Sequence, residues 1–597
     1  MSYYRAPLEE ISFTLETVAK MRDWSDISGF EEAGEDLVQA VLEEAAKLAN
    51  DVIAPTNQVG DEQGSIAKDG AVKTPDAFKP MHQQFVEGGW STLAADPDLG
   101  GQGLPATLEI AVTEMVTSAN MSYSLLPLLT SGAIQAINAH GSEQLRMTYL
   151  PKMISGEWSG AMNLTEPSAG SDVGALRAKA EKQPDGTYRI SGQKIYITWG
   201  EHDLCENIIH LVLARLPGSP PGTKGISMFI VPKYLVNQDG SLGERNDVQC
   251  VSTEHKLGIH ASPTCTMAFG ENDNCVGYLV GEENFGMRNM FTMMNHARIG
   301  VGLQGVAIAE RAYQHSVTFA KDRVQSAALG SKTPEAVTII NHPDVRRMLL
   351  TMRATAEAAR AIVYRNIWAI DRAHSTTDAD ERRRALGEAD LLTPISKAYA
   401  TDIGVEAASL AVQVHGGMGF VEETGVAQYY RDARIAPIYE GTNGIQALDL
   451  AGRKLNAEGG AHWRALIEEM RNFANGLGRS MESAKPVLED GIDALEDAAT
   501  TLFANGFERI TDTAGAATPY LRLFGTVLGA HLLAEQAVEA ERRLASNEGN
   551  PSFLKSKITV AQFYIEQILP SATALVGPVK AGAGKLTAME TADFERA

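Results

Sequence analysis

The sequence contains few cysteines, and no group of residues in it has the spacing of metal ligands. Its 597 residues include four cysteines without a short paired spacing: Cys205, Cys250, Cys265 and Cys275. Four cysteines in a chain of this length do not form a disulfide scaffold. His202, Cys205 and His210 lie close in sequence, but no fourth ligand accompanies them, so ordinary packing is favoured. We therefore expect reduced thiols in an intracellular protein and no metal centre.

Long apolar runs and basic blocks are also absent from the sequence. No apolar stretch approaches the roughly 20 residues needed to span a bilayer. The first ten residues lack both the pattern of a secretion signal and the acid-poor pattern of a transit peptide. The formal net charge is −23, and a strongly acidic chain repels nucleic acid. These absences predict a cytoplasmic protein that binds neither membranes nor nucleic acid.

The hydrophobic patterning predicts an α+β protein that is mostly α. Apolar residues make up 44% of the chain and charged residues 21%, an ordinary globular balance. The length predicts two to four packed regions. Helical periodicity over 35–51, 108–118 and 133–140 gives way to short strand-like runs and returns after Gly286. We predict an N-terminal arm (1–36), a helical domain (37–161), a central β domain (162–275), a helical bundle (276–455) and a helical C-terminal extension (456–597).

Prolines and glycines indicate where helices of the second half begin and end. Pro343 and Pro394 fit the first turn of a helix, where the missing N–H costs no intrahelical bond. The polar segment from Ala373 to Ala385 predicts a solvated bend between two long helices. Gly416-Gly417 should end the helix whose apolar stripe runs from Ile403 to Val414.

One short stretch places a single carboxylate, Glu440, between an apolar run and a glycine turn. The apolar run is formed by Ile435, Pro437, Ile438 and Tyr439. Burial by such residues raises the pKa of a carboxyl group, which suits a base that removes a weakly acidic C–H proton. The turn over 441–444 could offer backbone N–H groups to a phosphate, before a helix that starts near Ile445. We interpret Glu440 as a catalytic base; a helix cap or a surface ion pair is the alternative for this motif taken alone.

A second stretch, over 162–172, combines hydroxyl side chains with flexible backbone at the edge of the predicted β domain. Further along, Tyr196 precedes Thr198 by two residues, so both should project from the same side of one strand. An aromatic ring beside a hydroxyl suits the face and rim of a planar heterocycle. We predict that a flat ring system binds here, with a core position as the alternative for Tyr196.

Taken together, these stretches resemble the acyl-CoA dehydrogenase family. Five motifs occur in the order and approximate spacing of that family: Leu-Thr-Glu-Pro-Ser-Ala-Gly-Ser-Asp (164–172), Gly-Gln-Lys-Ile-Tyr-Ile-Thr (192–198), Arg298, Gln-Val-His-Gly-Gly-Met-Gly-Phe (413–420) and Ile-Tyr-Glu-Gly-Thr-Asn (438–443). The resemblance covers about residues 37–455. It implies two helical domains and a β domain with FAD between them. It also implies that Glu440 removes the α-proton of an acyl-CoA while a hydride passes from the β carbon to flavin N5, giving a trans-2-enoyl-CoA.

The resemblance also implies the roles of individual residues. The catalytic residue is Glu440. The positions implied around the flavin are Met162, Leu164, Thr165, Gly170, Ser171, Tyr196, Thr198, Thr442 and Asn443. The ADP half of a flavin bound mainly by the neighbouring subunit is implied to contact Arg323, Gln413, Gly416 and Gly417. Substrate contacts are implied for Ser171, Arg298, Tyr439 and Gly441; a helical ion pair is the alternative for Arg298.

Some positions depart from the family pattern. Tyr196 stands where many members have Trp. Arg323 is followed by Val-Gln-Ser rather than Lys-Thr-Phe, Gly444 replaces a polar residue, and Gly452 stands where medium-chain members have Arg. The match is therefore more complete for flavin binding than for CoA anchoring.

The N-terminal arm and the C-terminal extension resemble an enlarged subgroup of the family. This subgroup contains 3-methylmercaptopropionyl-CoA dehydrogenase and bacterial broad-range fatty acyl-CoA dehydrogenases. The leading hypothesis is a homodimeric enzyme of fatty acyl-CoA β-oxidation that passes electrons to an electron-transfer flavoprotein. The alternatives are a 3-methylmercaptopropionyl-CoA dehydrogenase, an acyl-CoA oxidase that passes electrons to oxygen, and a DNA-associated non-catalytic relative, which the net charge opposes.

Overall fold

The computed structural model describes residues 4–478, 481–506 and 508–595 of the chain. These residues form two compact units. Within the described residues, unit 1 is Glu44–Gly300, and unit 2 combines the N-terminal segment up to Glu43 with the chain from Val301 onward.

Helices account for most of the regular structure in the described residues. The α-helices are α1 (Leu8–Val18), α2 (Glu35–Lys47), α3 (Thr56–Gln63), α4 (Phe78–Glu87), α5 (Ala106–Ala119), α6 (Met121–His140), α7 (Glu143–Ile154), α8 (Gly286–Asp322), α9 (Pro343–Ser375), α10 (Ala379–His415), α11 (Val426–Ala433), α12 (Asn443–Leu448), α13 (Ala461–Asn475), α14 (Lys485–Asn505), α15 (Ile510–Ala545), α16 (Pro551–Phe563), α17 (Leu569–Thr573) and α18 (Val576–Ala581). The strands are β1 (Ile66–Lys68), β2 (Ala71–Lys73), β3 (Trp158–Asn163), β4 (Lys179–Lys182), β5 (Tyr188–Thr198), β6 (Asn207–Arg215), β7 (Ile226–Pro232), β8 (Tyr234–Val236), β9 (Leu242–Arg245), β10 (Val248–Thr253), β11 (Thr264–Phe269), β12 (Val276–Leu279), β13 (Val324–Ala327) and β14 (Ala336–Thr338).

Unit 1 contains an eight-stranded sheet in the order β10-β11-β5-β12-β7-β6-β3, with β4 beside β5 and β6. Most neighbouring strands are antiparallel, whereas β3 and β6 are parallel. Both faces of β6, which lies between β7 and β3, are buried, because Ile209, Leu211 and Leu213 pack on one side while Ile208 and Val212 pack on the other. Strands buried on both faces read as continuous apolar runs rather than as an alternation, which explains the pattern of 208–213.

The first of these two cores joins the sheet to helices of unit 1. Ile134 and Ile137 of α6, Leu150 of α7, and Met290 and Met293 of α8 pack in the same cluster as the odd-numbered residues of β6. One face of the sheet is therefore covered by helices. The ends of β3 and β5 carry the residues predicted to surround the flavin.

In unit 2 the N-terminal arm is tied to the C-terminal helices by buried charges. Lys557 of α16 donates from Nζ to Glu10 of α1 and to Glu357 of α9, at 2.7 Å in each case. Phe13 of α1 meets Phe553 edge to face with ring centroids 5.5 Å apart. The arm and the extension are thus parts of one packed unit, although they lie at opposite ends of the sequence.

Several predicted boundaries differ from the structure. Pro394 was predicted to start a helix, but it lies inside α10. The helix starts earlier because the Asp378 side chain accepts hydrogen bonds from the N–H groups of Asp380 and Glu381, an N-cap that supplies the start signal. The bend predicted over Ala373–Ala385 covers only residues 376–378, because the N-cap at Asp378 starts α10 at Ala379. Helix α6 also begins at Met121, well before the predicted 133, and its N-cap is Asn120, which accepts from the Tyr123 N–H at 3.1 Å.

Other predictions for the helices are confirmed. Pro343 is the first residue of α9, and α10 ends at His415, directly before Gly416-Gly417. Gly416 has a φ of +60°, a conformation that glycine adopts without a steric penalty. The predicted mixture of mostly helix with one strand-rich region is confirmed as well.

Candidate active site

Glu440 lies in a strained turn of unit 2 between α11 and α12. Its φ is +55° and that of Gly441 is +82°. A residue with a side chain rarely adopts positive φ, and such a conformation costs of order 1–3 kcal/mol. Residues held this way are frequent at active sites, where surrounding contacts maintain the strained form. The conformation therefore supports a functional role for Glu440.

Asn443, the first residue of α12, fastens this turn to α10. Its Nδ2 lies 3.1 Å from the carbonyl oxygen of Ala398, 3.0 Å from Thr401 Oγ1 and 2.7 Å from Asp402 Oδ1. Its Oδ1 accepts a hydrogen bond from Lys397 Nζ at 2.9 Å. The side-chain amide of Asn443 is therefore bonded to α10, which fixes the position of the turn.

Two of the N–H groups that follow Glu440 are used within the turn. The Asn443 N–H donates to the carbonyl of Pro437 at 2.9 Å, and the Ile445 N–H donates to Thr442 Oγ1 at 3.2 Å. The expected helix start near Ile445 moves forward to Asn443, with Thr442 as its N-cap. The predicted cradle for a phosphate is therefore not open at these two N–H groups.

Tyr439 lies beside the Glu440 carboxylate. Its phenol donates a hydrogen bond to Gln304 Oε1 on α8. Burial, reinforced by the negative charge of Glu440, raises the pKa of Tyr439 well above its usual range. The tyrosine stays protonated and can act only as a neutral hydrogen-bonding group near the carboxylate.

The predicted apolar shield around Glu440 is incomplete. Glu440 is half-buried, and Ile438, which was expected to cover it, is 50% exposed. Ala436 is buried instead. The apolar residues next to Glu440 lie in a turn, so they do not all face inward.

Two of the stretches predicted to surround the flavin ring contact each other in unit 1. The Ile195 N–H donates to the carbonyl of Thr165 at 2.9 Å, which joins the segment after β3 to β5. Tyr196 has a φ of +59° and is 60% exposed. It lies where the pairing of β5 with β11 is irregular, and such bulges redirect side chains at sheet edges. Tyr196 thus faces outward beside Thr165, which rules out the core position for its ring.

A buried ion pair holds these two stretches together. Lys194 Nζ lies 2.8 Å from Glu166 Oε1 and 3.0 Å from the carbonyl oxygen of Leu164, and both charged side chains are buried. Glu166 also accepts from the N–H groups of Arg177 and Ala178 at 2.6 and 3.0 Å. Burial lowers the pKa of Lys194 to about 8, while Glu166 acts in the opposite direction. One carboxylate thus fixes both ends of the loop that carries Gly170 and Ser171.

Open space surrounds several of the predicted glycines. A Cβ added at Gly170, Gly416 or Gly417 would meet no atom within 4 Å. Ser171 is exposed in unit 1, and Arg323 and Gln413 are exposed in unit 2. Exposed polar groups and open glycines fit a large polar cofactor such as FAD, because backbone without side chains permits close approach.

The remaining predicted residues have defined surroundings. Met162 and Thr198 are partly buried in the sheet, and Leu164 is buried. Arg298 is buried on α8 of unit 1, where its guanidinium lies 3.3 Å from Asn295 Oδ1 and 5.8 Å from the centroid of the Phe291 ring.

The histidines that were considered as ligands have other partners. His202 Nε2 lies 2.9 Å from Ser159 Oγ, and His210 Nδ1 lies 3.1 Å from Asn163 Nδ2. Burial lowers the pKa of His210 to about 3. These contacts are those of neutral imidazoles packed within unit 1.

Some residues that shape the site were missed in the sequence. Glu166 and Lys194 both lie inside the quoted motifs. Their opposite charges were the one feature of the sequence that could have indicated the ion pair. Lys397, Asp402 and Gln304 lie on helices far from the Glu440 turn in sequence, so no local pattern pointed to them. Within the part of the chain that is described, no helix is long and apolar enough to cross a membrane.

Comparison with known proteins gives the family. Residues 36–157 match the description "Acyl-CoA dehydrogenase, N-terminal domain", 161–271 the middle domain and 284–455 the C-terminal domain of the same enzymes. Residues 466–590 match "Acetyl-CoA dehydrogenase C-terminal like".

Full-length relatives and solved structures agree with these matches. The chain is 46% identical to 3-methylmercaptopropionyl-CoA dehydrogenase of Ruegeria pomeroyi over 580 residues, 96% of this chain and 97% of that protein. It is 36% identical to a butyryl-CoA dehydrogenase of Syntrophomonas wolfei over 576 residues, 92% and 93% of the two chains. An acyl-CoA dehydrogenase of Bacillus anthracis, solved in complex with FAD, shares the fold with a TM-score of 0.74 at 20% identity, over 99% of this chain and 93% of that one.

The chain therefore belongs to the acyl-CoA dehydrogenase family. It is an FAD-dependent acyl-CoA dehydrogenase with additional C-terminal helices, and its substrate is an acyl-CoA. The predicted family, fold class, enzyme class and cofactor are confirmed.

Replacing Lys194 by Met should destabilise unit 1 and reduce FAD retention. The change leaves the Glu166 carboxylate buried without its cation, which costs about 3–5 kcal/mol. Urea unfolding and the ratio of flavin to protein absorbance measure the two effects. The double variant Lys194→Met/Glu166→Gln should recover part of the loss, whereas Lys179→Met, an exposed lysine on β4, should behave like the wild type. Unfolding of Lys194→Met at the wild-type urea concentration would contradict the role of this ion pair.

Proposed function

We propose that Glu440 is the base that removes the α-proton of the acyl-CoA substrate. The observation that carries this proposal is the strained turn that holds Glu440, anchored through Asn443 to four groups of α10. A base contributes most when it is held in position and partly dehydrated. Glu440 is half-buried beside the neutral phenol of Tyr439, which supports this role.

Flavin binding is proposed for the two groups of residues that the family resemblance implies. In unit 1 these are Met162, Leu164, Thr165, Gly170, Ser171, Tyr196 and Thr198, and in unit 2 they are Arg323, Gln413, Gly416, Gly417, Thr442 and Asn443. The chemistry that bound FAD supplies is acceptance of a hydride from the β carbon of the substrate. Tyr196 offers an exposed aromatic face, and Thr165 and Thr198 offer hydroxyls beside it. Ser171, Arg298, Tyr439 and Gly441 remain the proposed substrate contacts.

Replacing Glu440 by Gln should abolish rapid flavin reduction while leaving FAD bound. Glutamine keeps the shape of the side chain but cannot take a proton, so anaerobic reduction by acyl-CoA should slow by at least about a hundredfold. Stopped-flow absorbance of the flavin band measures this rate. Glu423→Gln, an exposed position in the same unit, is the matched control and should reduce its flavin at the wild-type rate. Fast reduction in Glu440→Gln would remove Glu440 from the role.

We further propose that the acyl group is short, with a plain and a methylthio-substituted chain as the two candidates. The two full-length relatives described above are named for butyryl-CoA and 3-methylmercaptopropionyl-CoA. The sulfur-containing substrate is favoured by the higher identity, 46% against 36%. Plain fatty acyl-CoA oxidation is the other candidate.

Anaerobic flavin bleaching with a panel of acyl-CoAs should separate these candidates. 3-Methylmercaptopropionyl-CoA and butyryl-CoA should bleach the flavin at least about tenfold more efficiently than palmitoyl-CoA, because a pocket matched to a short chain excludes a long one. The ratio of kcat/KM for the first two compounds decides between them. Equal efficiency with palmitoyl-CoA would overturn the proposal of a short-chain pocket.

A homodimer is proposed from the surface that follows α10. Phe420 is 89% exposed, and Met418 and Val421 are also exposed beside the open Gly416 and Gly417. Contiguous exposed apolar residues mark interaction surfaces, and the flavin residues next to them are those implied to serve the neighbouring subunit.

Replacing Phe420 by Asp should dissociate the dimer and lower its FAD content. A charge at the centre of an apolar interface leaves an unpaired carboxylate in the assembled form. Light scattering coupled to size exclusion measures the mass, and the absorbance ratio measures the flavin. Phe594→Asp, at an exposed phenylalanine near the C-terminus, should leave both unchanged. A wild-type mass that corresponds to one chain would refute the dimer directly.

An electron-transfer flavoprotein is the proposed electron acceptor, and an oxidase that uses oxygen is the alternative. Peroxide formed stoichiometrically under turnover in air would favour the oxidase. The domain boundaries at residues 36, 161, 275 and 455 are also proposals. The cytoplasmic location is a proposal as well.

A further inference from the structure

Three side chains of the C-terminal extension converge outside the proposed active site. Glu469 lies on α13, while His531 and Glu535 lie one turn apart on α15 and so share a face of that helix. One ligand atom from each of the three lies within 4.8 Å of the others. His531 Nε2 is 3.7 Å from Glu469 Oε1 and 3.5 Å from Glu535 Oε1.

His531 is the unusual member of this group. Its side chain is fully buried, and neither ring nitrogen has a hydrogen-bond partner among the described residues. Buried polar side-chain atoms are nearly always hydrogen-bonded, so an exception calls for a ligand or a water. The Phe473 ring meets the imidazole edge to face at 5.1 Å and fixes its plane, with Nε2 directed at the two carboxylates.

The separations of these atoms are those of ligands around one ion rather than of hydrogen-bonded pairs. A direct charge-assisted hydrogen bond between imidazole and carboxylate would measure about 2.7–2.9 Å. Two ligand atoms at the usual bond lengths from a tetrahedral zinc ion lie roughly 3.3–3.5 Å apart. The distances of 3.7 and 3.5 Å from His531 Nε2 to Glu469 Oε1 and Glu535 Oε1 are closer to the separation of two zinc ligands than to a hydrogen bond.

A further side chain orients the first carboxylate. Arg365 donates to both oxygens of Glu469 at 2.8 Å and to Glu388 Oε1 at 2.7 Å. Outer partners of this kind fix the position of a metal ligand. Because Glu388 balances the charge of Arg365, the carboxylates of Glu469 and Glu535 remain to neutralise a divalent cation. The side chains of Glu469 and Glu535 are 46% and 31% exposed, which gives an ion a path from solvent.

We propose that Glu469, His531 and Glu535 bind a divalent transition-metal ion, with zinc as the representative, that joins α13 to α15. Three protein ligands of nitrogen and oxygen leave one position for water. The sequence shows no metal-ligand spacing for this site because the ligands come from two helices, and His531 lies 62 residues after Glu469. The site is separate from the proposed flavin chemistry, and its role is to cross-link the extension.

Zinc titration of the full-length, FAD-loaded enzyme tests the site. After treatment with EDTA and removal of the chelator, isothermal titration calorimetry should give one zinc ion per chain, and zinc should raise the thermal midpoint. Glu535→Gln should weaken zinc binding at least about tenfold. Loss of a residue that merely supports a ligand already weakens metal binding by about 10- to 100-fold, and Glu535 is itself a ligand. Glu468→Gln removes the same charge from the exposed neighbour of Glu469 and should bind zinc like the wild type.

A second ligand variant and a spectroscopic measurement test whether zinc binds at this site. His531→Gln should also lose zinc, and zinc K-edge absorption of the wild type should show one imidazole with oxygen ligands. No zinc binding by the wild type, or equal binding by the wild type and Glu535→Gln, would overturn the proposal and mean an adventitious ion only. Flavin reduction by acyl-CoA should stay at the wild-type rate in Glu535→Gln, so failure of this site and failure of the proposed catalytic role are distinguishable.

Discussion

The amide of Asn443 is the contact on which the arrangement around Glu440 depends. Glu440 and Gly441 both have positive φ, and a chain does not keep such a conformation at a side-chain-bearing residue unless neighbouring contacts hold it. Asn443 supplies them by bonding to Lys397, Ala398, Thr401 and Asp402 of α10. The single strained carboxylate of this turn is thereby attached to the long buried helix of unit 2.

A corresponding constraint operates in unit 1. The carboxylate of Glu166 accepts hydrogen bonds from Lys194 on β5 and from the backbone at 177–178, so it connects the two ends of the intervening loop. A buried ion pair contributes little net stability but is costly to break. Its value here is geometric, because it determines where the exposed Tyr196 and the hydroxyl-rich segment lie. In both units, buried polar contacts position groups that remain open to a ligand.

The C-terminal extension has a structural role in unit 2. Through Lys557 it forms ion pairs with Glu10 of the N-terminal arm and Glu357 of α9, and Tyr564 shares a hydrogen bond with Tyr399 of α10. Arg522 of α15 also pairs with Glu406 of α10 at 2.9 Å. The helix that carries the anchor of the Glu440 turn is thus itself supported by the extension.

The sequence by itself determined the periodic elements, the order of the motifs and the identity of Glu440 as the candidate base, because helix and strand periods and short motifs are local properties. It did not determine that Pro394 lies inside α10, that Ile438 is exposed, or that Glu440 has positive φ. The position of Pro394 depends on the N-cap that Asp378 provides for α10. The exposure of Ile438 depends on the geometry of the turn, and the φ of Glu440 depends on the contacts of Asn443 with α10. Only the tertiary structure paired Lys194 with Glu166, brought Lys557 to Glu10, and placed Glu469 beside His531. Such pairs join residues distant in the chain, and the free energy of burying a charge is set by the partner that the fold brings to it.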